Sequence, residues 1–297
     1  MQLIRTYVAL ALAAILWGAN FILAKPVLAE MAPLAAGAWR YLIAAAIVLS
    51  VLYLRGGGLA RRHLGSYALL GLVGVCGFNA FFFLALQTTS AVNASLIMAL
   101  SPLLTIVVAY FVLGDQPRPL QLFAIPLGLL GVAIVVLGAG KDGSFTRGDL
   151  LMLVASLNWA LYTVYVRKSM PRDASSTANI AGIMLVGAIA LTFLSVTAGT
   201  GLPLPSPHVA AALVVLAIGG GLLAYFLWNA GVTKIGAGAA APFINLVPVA
   251  SMLIATALGS RPTKAQLIGG AIVIGAVLLS TFSVDGAARP RGNLALP

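Results

Sequence analysis

The chain has 297 residues, of which 61% are hydrophobic and only 8% are charged, and 17 Lys and Arg against six Asp and Glu leave a net charge of +11. A soluble protein could not cover so apolar a chain with polar groups, so a membrane-embedded protein is the class that remains, and nucleic acid is not expected as a partner. One cysteine, Cys76, and two histidines exclude a disulfide framework and a histidine or cysteine metal cage, and we expect no metal and no cofactor.

Apolar runs near the roughly 20 residues that a membrane-crossing α-helix needs follow one another along the chain. The ten runs are Tyr7–Leu23, Leu34–Leu54, Tyr67–Leu86, Val92–Leu113, Leu120–Leu137, Leu150–Val166, Ala178–Val196, Val209–Trp228, Ala237–Leu258 and Gln266–Phe282. All six acids and sixteen of the seventeen bases lie outside them. This distribution is expected because an unpaired charge at mid-bilayer costs at least about 3 kcal/mol. The sequence therefore predicts an all-α integral membrane protein with ten transmembrane helices.

Basic residues in the loops predict the orientation, because they accumulate on the cytoplasmic side of membrane proteins. If the N-terminus is cytoplasmic, eleven bases fall on the cytoplasmic side and five on the opposite side. We therefore predict a multi-pass protein of the cell (inner) membrane with both termini cytoplasmic, the C-terminal tail being residues 285–297. The bias is weaker in the second half of the chain, at six to four.

The two halves of the chain resemble each other. Pro102 matches Pro248 at an offset of 146, Trp17 matches Trp159 at an offset of 142, and the ten-residue loops after the fourth and ninth runs are identical at five positions. Such self-similarity indicates an internal repeat.

Each half contains five runs, an odd number, so the second half must begin on the opposite face of the membrane. We therefore predict two inverted five-helix repeats, residues 1–140 and 141–284. Inverted repeats are typical of secondary transporters, which bind substrate near the midplane between the halves.

These motifs, in this order, resemble the EamA-type branch of the drug/metabolite transporter superfamily, and within it the YddG-like amino-acid exporters. The matching pieces are Leu16–Phe21, Arg40, the turn Ala85–Ala91, Pro102 in the fourth run, and the Gly-Asp pair that ends at Asp115. The resemblance covers nearly the whole chain. It implies a ten-helix transporter that exports amino acids, other metabolites or toxic cations.

The chain departs from this family at the ends of the fourth and ninth runs. The family often has Glu after the closing glycine, whereas this chain has Asp115 and Ser260 there. The resemblance therefore leaves an ion pair from that position in doubt for the second half.

Polar and aromatic side chains inside the runs predict a solute-binding cavity, because a polar group at membrane depth needs a partner or a cavity. Aromatic walls with a few amides suit neutral, zwitterionic or aromatic solutes, and also suit lipophilic cations through the ring faces. Interhelical hydrogen bonds and interfacial aromatic belts are the alternative explanation for any single residue. The candidate substrate-binding residues are Trp17, Asn20, Phe78, Asn79, Phe82, Met98, Asn158, Trp159, Tyr162, Tyr225, Asn229 and Asn245.

Three further residues are candidates for gating or hinge roles. Arg40 is the only charged residue inside a run, about 9 Å from its outer end at 1.5 Å per residue. It either reaches the interface, with Glu30 as a possible partner, or serves as a gate or as an anchor for a substrate carboxylate. Pro102 and Pro248 each remove a backbone donor in mid-helix, which frees the carbonyl four residues earlier. The result is a tolerated kink, a hinge for alternating access or a carbonyl exposed to the cavity.

We predict from these features a secondary transporter that exports small metabolites, foremost neutral or aromatic amino acids, by alternating access and as a monomer. The alternative is efflux of lipophilic organic cations or drugs. No acid lies inside a run, which favours facilitated export over proton antiport. A channel is a further alternative, whereas an intramembrane enzyme would need paired aspartates or a histidine at depth, which the runs lack.

Overall fold

The computed structural model describes residues 2–139, 146–235 and 241–285, and this described part is helical, without strands. We name ten successive helices α1 to α10, four of which are made of consecutive segments. They are α1 (Gln2–Glu30), α2 (Pro33–Leu54), α3 (Leu64–Leu70, Gly71–Gly77, Phe78–Ala85), α4 (Ala91–Met98, Ser101–Leu113), α5 (Pro119–Ala139), α6 (Arg147–Ser169), α7 (Ser176–Thr197), α8 (Pro207–Val215, Leu216–Leu223, Ala224–Ile235), α9 (Ala241–Asn245, Leu246–Ala257) and α10 (Lys264–Asp285).

The helices follow the predicted apolar runs. Eight helices are long and apolar enough to cross a membrane, and two shorter apolar helices, Phe243–Ala257 and Lys264–Ser280, occupy the ninth and tenth places. The prediction of an all-helical membrane protein is thereby confirmed. The predicted boundary between the repeats at residues 140 and 141, and the tail beyond residue 285, lie outside the described residues.

Helix ends are set by local sequence. The side chains of Ser90, Thr146, Ser175 and Ser206 each accept a hydrogen bond from the backbone N–H three residues later and so begin α4, α6, α7 and α8. At Thr146 the pair is reciprocal, because Asp149 accepts from the Thr146 backbone N–H at 3.0 Å. Asp149 therefore stabilises the start of α6.

Two matched glycines end helices in both halves. Gly114 follows α4 with a φ of +73°, and Gly259 lies two residues after the end of α9 with a φ of +91°. A positive φ is the left-handed conformation that glycine adopts most readily, so the two glycines have the same conformational role at an offset of 145 residues.

Helix packing is symmetric between the halves. The first helix of one half packs against the third and fourth helices of the other: α1 contacts α8 and α9, while α6 contacts α3 and α4. The second helices, α2 and α7, pack on each other, as do the fifth helices, α5 and α10. Exchanging the halves leaves this pattern unchanged, which is the property of a two-fold repeat.

Polar contacts between helix ends show that the repeats are inverted. Near the end of α1, Lys25 Nζ donates to the carbonyl oxygen of Thr89 at 2.6 Å. Thr89 Oγ1 in turn donates to Asp149 Oδ1, at the start of α6, at 2.6 Å. The end of α1 and the start of α6 therefore share a face, which we call the Lys25 face, and these two equivalent helices run in opposite directions. Near the end of α6, Arg167 pairs with Asp115 at 2.5 Å on the opposite side, the Arg167 face.

Close approach of α5 and α10 depends on glycine. A Cβ atom on Gly131 would lie 2.8 Å from the carbonyl oxygen of Gly269, and a Cβ atom on Gly269 would lie 2.5 Å from the carbonyl oxygen of Gly131. Small residues of this kind let the backbones of membrane helices come together.

The two matched prolines do not lie in the middle of continuous α-helices, and that prediction was wrong. Pro102 lies in the first turn of the second segment of α4, where its missing N–H has no intrahelical role. The Met98 carbonyl, expected to lose its partner, accepts a hydrogen bond from Ser101 Oγ at 2.6 Å. Pro248 is the third residue of the α-helical segment of α9, directly after a 3-10 turn. Each proline therefore lies in the first turn of a helical segment that follows a break in the helix.

Candidate functional site: a cavity between the repeats

A cavity of about 610 Å³, with the open space at its mouth included, lies where helices of both repeats meet. Its wall is built by seven helices, α1, α2, α3, α4, α6, α8 and α9. The lining residues are Trp17, Asn20, Phe21, Arg40, Tyr41, Phe78, Phe82, Met98, Ala99, Ser101, Trp159, Gly220, Tyr225, Ile244 and Val247.

Aromatic rings form the largest part of the wall. The repeat-matched residues Trp17 and Trp159 meet edge to face, with ring centroids 6.0 Å apart. Tyr225 lies 5.9 Å from Trp17 and 6.0 Å from Trp159, while Phe78 lies 5.5 Å from Trp159 and stacks on Phe82 at 5.7 Å. These centroid distances are in the range in which aromatic pairs attract each other. The rings therefore support each other and present a continuous apolar surface.

The π-helical segments of α3 and α8 receive polar side chains from the opposite repeat. Trp17 Nε1 donates to the carbonyl oxygen of Gly220 at 3.1 Å. A Cβ atom on Gly220 would overlap the side-chain amide of Asn20, and a Cβ atom on Gly77 would lie 2.5 Å from Asn158 Oδ1. An asparagine of each first helix thus packs over a glycine of the partner helix. Segments of π-helix are rare and are often found at functional sites.

Arg40 is a buried cation in the cavity wall. Its side chain is only 4% exposed, its Nη1 donates to Asn79 Oδ1 over a long 3.4 Å, and its Nε has no hydrogen-bond partner. The guanidinium carbon lies 5.2 Å from the centre of the Tyr41 ring. Asn79 is held in turn, because its Nδ2 donates to Tyr41 Oη at 3.1 Å and to the Val75 carbonyl at 2.8 Å. No acid of the described residues forms an ion pair with Arg40.

The structure excludes one of the two sequence-based explanations of Arg40. The alternative in which Arg40 reaches the interface and pairs with Glu30 is wrong, because Arg40 is buried in the cavity wall. Glu30 instead accepts a hydrogen bond from Ser206 Oγ at 2.7 Å, which links the end of α1 to the start of α8.

The structure brings most of the sequence-predicted site residues together. The predicted residues that line the cavity are Trp17, Asn20, Arg40, Phe78, Phe82, Met98, Trp159 and Tyr225. Asn79 lies behind the wall as a partner of Arg40, and Tyr162 lies behind Trp159, with ring centroids 5.3 Å apart.

The remaining predicted residues do not line the cavity. Asn158 bonds the Val154 carbonyl at 3.0 Å in its own helix. Asn245 is buried with both side-chain amide atoms unpartnered, beside the lining residue Ile244. Pro102 and Pro248 lie at the breaks of α4 and α9, and the side chain of Asn229 lies outside the described part of the structure.

Other lining residues were missed as site residues, although two carried a sequence signal. Phe21 and Tyr41 each follow a predicted site residue directly, so the same helix turn carries both. Ala99 and Val247 line the cavity because α4 and α9 break there, and neither residue type distinguishes them from the other alanines and valines of the runs.

A family model of EamA-like transporters matches the chain twice, over residues 4–137 and 146–282. The chain belongs to the EamA-like transporter family. The double match agrees with the two-repeat architecture, and the family makes the chain a multi-pass membrane protein of a transporter family.

Known relatives are also transporters. The chain is 34% identical to the uncharacterized transporter YyaM of Bacillus subtilis over an alignment of 290 residues, and this alignment covers 95% of each protein. It is 26% identical to the aromatic amino acid exporter YddG of Ancylobacter novellus, over 91% of this chain and 94% of the relative. A solved crystal structure superposes on this fold with a TM-score of 0.70 at 22% identity, covering 93% of this chain and 96% of the other.

Proposed function

We propose that this EamA-family transporter exports neutral or aromatic amino acids across the cytoplasmic membrane. The observation that carries the proposal is the cavity between the repeats, in which aromatic rings surround the buried cation Arg40. Within the described part of the chain, no carboxylate lines this cavity.

The cavity has a complementary group for each part of such a solute. An apolar or aromatic side chain packs against the rings of Trp17 and Trp159, where burying it contributes about 1.5–3 kcal/mol. The carboxylate binds Arg40, whose free Nε and planar fork suit a bidentate contact. Oxygen atoms of Asn20 and Ser101, which also line the cavity, accept from the ammonium group.

Because Arg40 is buried without an ion-pair partner among the described residues, the solute is expected to supply an anionic group. A buried charge without a partner costs several kcal/mol, and a bound carboxylate restores the missing pair. A lipophilic cation would be attracted by the ring faces but repelled by Arg40. At a separation of about 8 Å and an effective dielectric constant of about 20, that repulsion is about 2 kcal/mol. Organic cations are therefore the second candidate.

We further propose the orientation in the membrane, an alternating-access mechanism and a monomeric assembly. We place the Arg167 face in the cytoplasm with both termini, because the loops and termini on that side carry eleven bases against five. The cavity lies between two inverted repeats, an arrangement suited to alternating access. One chain supplies every lining residue, so a monomer is sufficient. Facilitated export without proton coupling follows if no acid titrates in the path.

The name of the YddG relative supports this substrate class, since that protein is an aromatic amino acid exporter. Its 26% identity leaves the substrate of this chain to be determined by experiment.

Efflux from proteoliposomes tests the proposal. Purified protein is reconstituted into liposomes, and the liposomes are loaded with radiolabelled phenylalanine, leucine or a cationic dye. Liposomes without protein, loaded in the same way, are the control. We expect phenylalanine to leave faster than from empty liposomes, with no dependence on a pH gradient. Faster movement of the dye alone would favour the cation exporter, and no movement of any solute would refute the proposal. Single-channel currents would instead identify a channel, since a carrier cannot conduct ions at such rates.

A further inference from the structure

A second cavity of about 990 Å³, with open space included, lies on the Lys25 face between the ends of α1 and α9 and the starts of α4 and α10. We call it the basic vestibule. Its polar lining residues are Lys25, Ser90, Ser260, Arg261, Thr263 and Gln266.

The basic vestibule contains two cations and, within the described ranges, no acid. Lys25 is half-buried, and its ammonium donates to the carbonyl oxygens of Leu86 and Thr89. An ammonium group has three N–H donors, so one remains for another partner. Arg261 is exposed, and no described carboxylate lies within ion-pair distance of either cation.

Two acids are connected to Lys25, Glu30 along the chain and Asp149 through Thr89, and both accept hydrogen bonds from other groups. Asp149 is 1% exposed and accepts hydrogen bonds from Thr89 and Thr146. Glu30 accepts from Ser206 and does not line the vestibule. Asp149 is connected to Lys25 only through Thr89 and does not line the vestibule, so no described acid forms an ion pair with either cation.

Comparison with the other repeat shows which group is missing. On the Arg167 face, Arg167 pairs with Asp115 at 2.5 Å. The repeat places Lys25 at the position of Arg167 and Ser260 at the position of Asp115. Lys25 of the first half and Ser260 of the second half line the same vestibule, so the Lys25 face keeps the cation of the pair and has a hydroxyl in place of the carboxylate.

We propose that the basic vestibule binds a compact monovalent anion, a carboxylate or a halide, in the place of the absent acid. The ammonium of Lys25 and the guanidinium of Arg261 supply the charge, and the hydroxyl groups of Ser90 and Ser260 supply neutral donors. The anion is either the carboxylate of a transported solute or a free ion from the medium. The site itself does not depend on the proposed function.

A thiol reporter in the vestibule tests this proposal without a transport assay. The sole cysteine, which is buried, is removed by Cys76→Ser, and Leu258→Cys introduces a thiol at a lining residue that is 71% exposed. Two unit charges at about 8 Å in water predict that the ratio of the rate with a sulfonate-bearing methanethiosulfonate to the rate with its trimethylammonium analogue is about tenfold higher than for a free thiol in solution. Acetate or chloride, added at constant ionic strength against a bulky sulfonate, should slow the reaction saturably.

Ser260 offers a matched pair of variants in this reporter background. Ser260→Asp restores the acid that the first repeat has, so we expect it to pair with Lys25, to reduce the rate preference about threefold and to abolish protection by acetate. Ser260→Asn has the same size without the charge and should retain both effects. Arg261→Gln, at an exposed position, should weaken protection about tenfold if it loses a charge-assisted hydrogen bond of about 1.4 kcal/mol.

The source of the anion is distinguished by the competitor. Protection by phenylalanine as well as acetate identifies the carboxylate of a solute, whereas protection by chloride and acetate alone identifies a free anion. No saturable protection in the reporter protein, or equal protection after Ser260→Asp, would overturn the proposal. These outcomes are independent of whether the protein moves phenylalanine across a membrane.

Discussion

Replacing Arg40 by methionine separates a substrate anchor from a structural arginine. The protein contacts of Arg40 are weak: one hydrogen bond at 3.4 Å, a ring centre at 5.2 Å and an unpartnered Nε. Methionine has a similar length and no charge to bury, so we expect Arg40→Met to fold with equal or higher stability. A charge-assisted hydrogen bond to a carboxylate contributes about 1.5–3 kcal/mol, which corresponds to an affinity loss of about 10- to 150-fold.

The assay compares two inhibitors of phenylalanine efflux from proteoliposomes. We expect Arg40→Met to weaken inhibition by phenylalanine about 10- to 150-fold, and to leave phenylalaninamide, which lacks the carboxylate, unaffected or more potent. Arg40→Lys is the control, because it keeps the charge but loses the planar fork. Its inhibition by phenylalanine should be intermediate between that of the unaltered protein and that of Arg40→Met. Thermal unfolding of the purified variants measures stability independently.

Two results would contradict this reasoning. Unchanged inhibition by phenylalanine would mean that Arg40 does not contact the carboxylate. Equal weakening for the acid and the amide, together with a lower unfolding temperature, would mean that Arg40 acts through the fold.

Three further predictions concern the wall, the helix packing and the loops. Trp159→Ala and Tyr162→Ala should each reduce phenylalanine efflux at least about tenfold with an unchanged yield of folded protein. The first variant removes a ring of the aromatic wall and the second removes the ring that supports it, so unchanged efflux would contradict this role. Gly131→Ala should lower the free energy of unfolding by about 1–3 kcal/mol, because the added Cβ atom would lie 2.8 Å from a carbonyl oxygen. Gly275→Ala is the control and should be tolerated, because its Cβ atom would have no neighbour within 4 Å. Equal losses of stability in the two variants would refute the packing argument. Asp115→Asn breaks a pair whose side chains are 67% and 44% exposed, so thermal unfolding should show a loss below about 1 kcal/mol.

Hydropathy was sufficient to predict the helices, because a charge in the bilayer core is so costly that charge-free runs mark the spans. For α2 the predicted run Leu34–Leu54 and the helix Pro33–Leu54 nearly coincide. The first helix continues seven residues beyond its run, to Glu30, since polar residues outside the core do not end a helix. The matched Trp17 and Trp159 were expected in equivalent places, and they meet at the cavity.

Features that depend on neighbouring helices were not predictable. The π-helical segments of α3 and α8 add residues to a turn without changing hydropathy, so no periodicity in one chain indicates them. Arg40 was placed on a helix, but its burial depends on the helices that surround it. Asn158 and Tyr162 share a helix with Trp159, yet they face glycines of α3 at Gly77 and Gly74.

We propose that the solute passes through the cavity between the repeats, and a thiol at Met98 is a direct test of this path. Met98→Cys in the Cys76→Ser background places a reactive group on a half-buried lining residue. N-ethylmaleimide labelling is measured with and without phenylalanine, and efflux is measured before and after labelling. We expect phenylalanine to slow labelling and the labelled protein to export phenylalanine no longer. Labelling that phenylalanine does not affect, with full efflux afterwards, would show that the solute does not pass through this cavity.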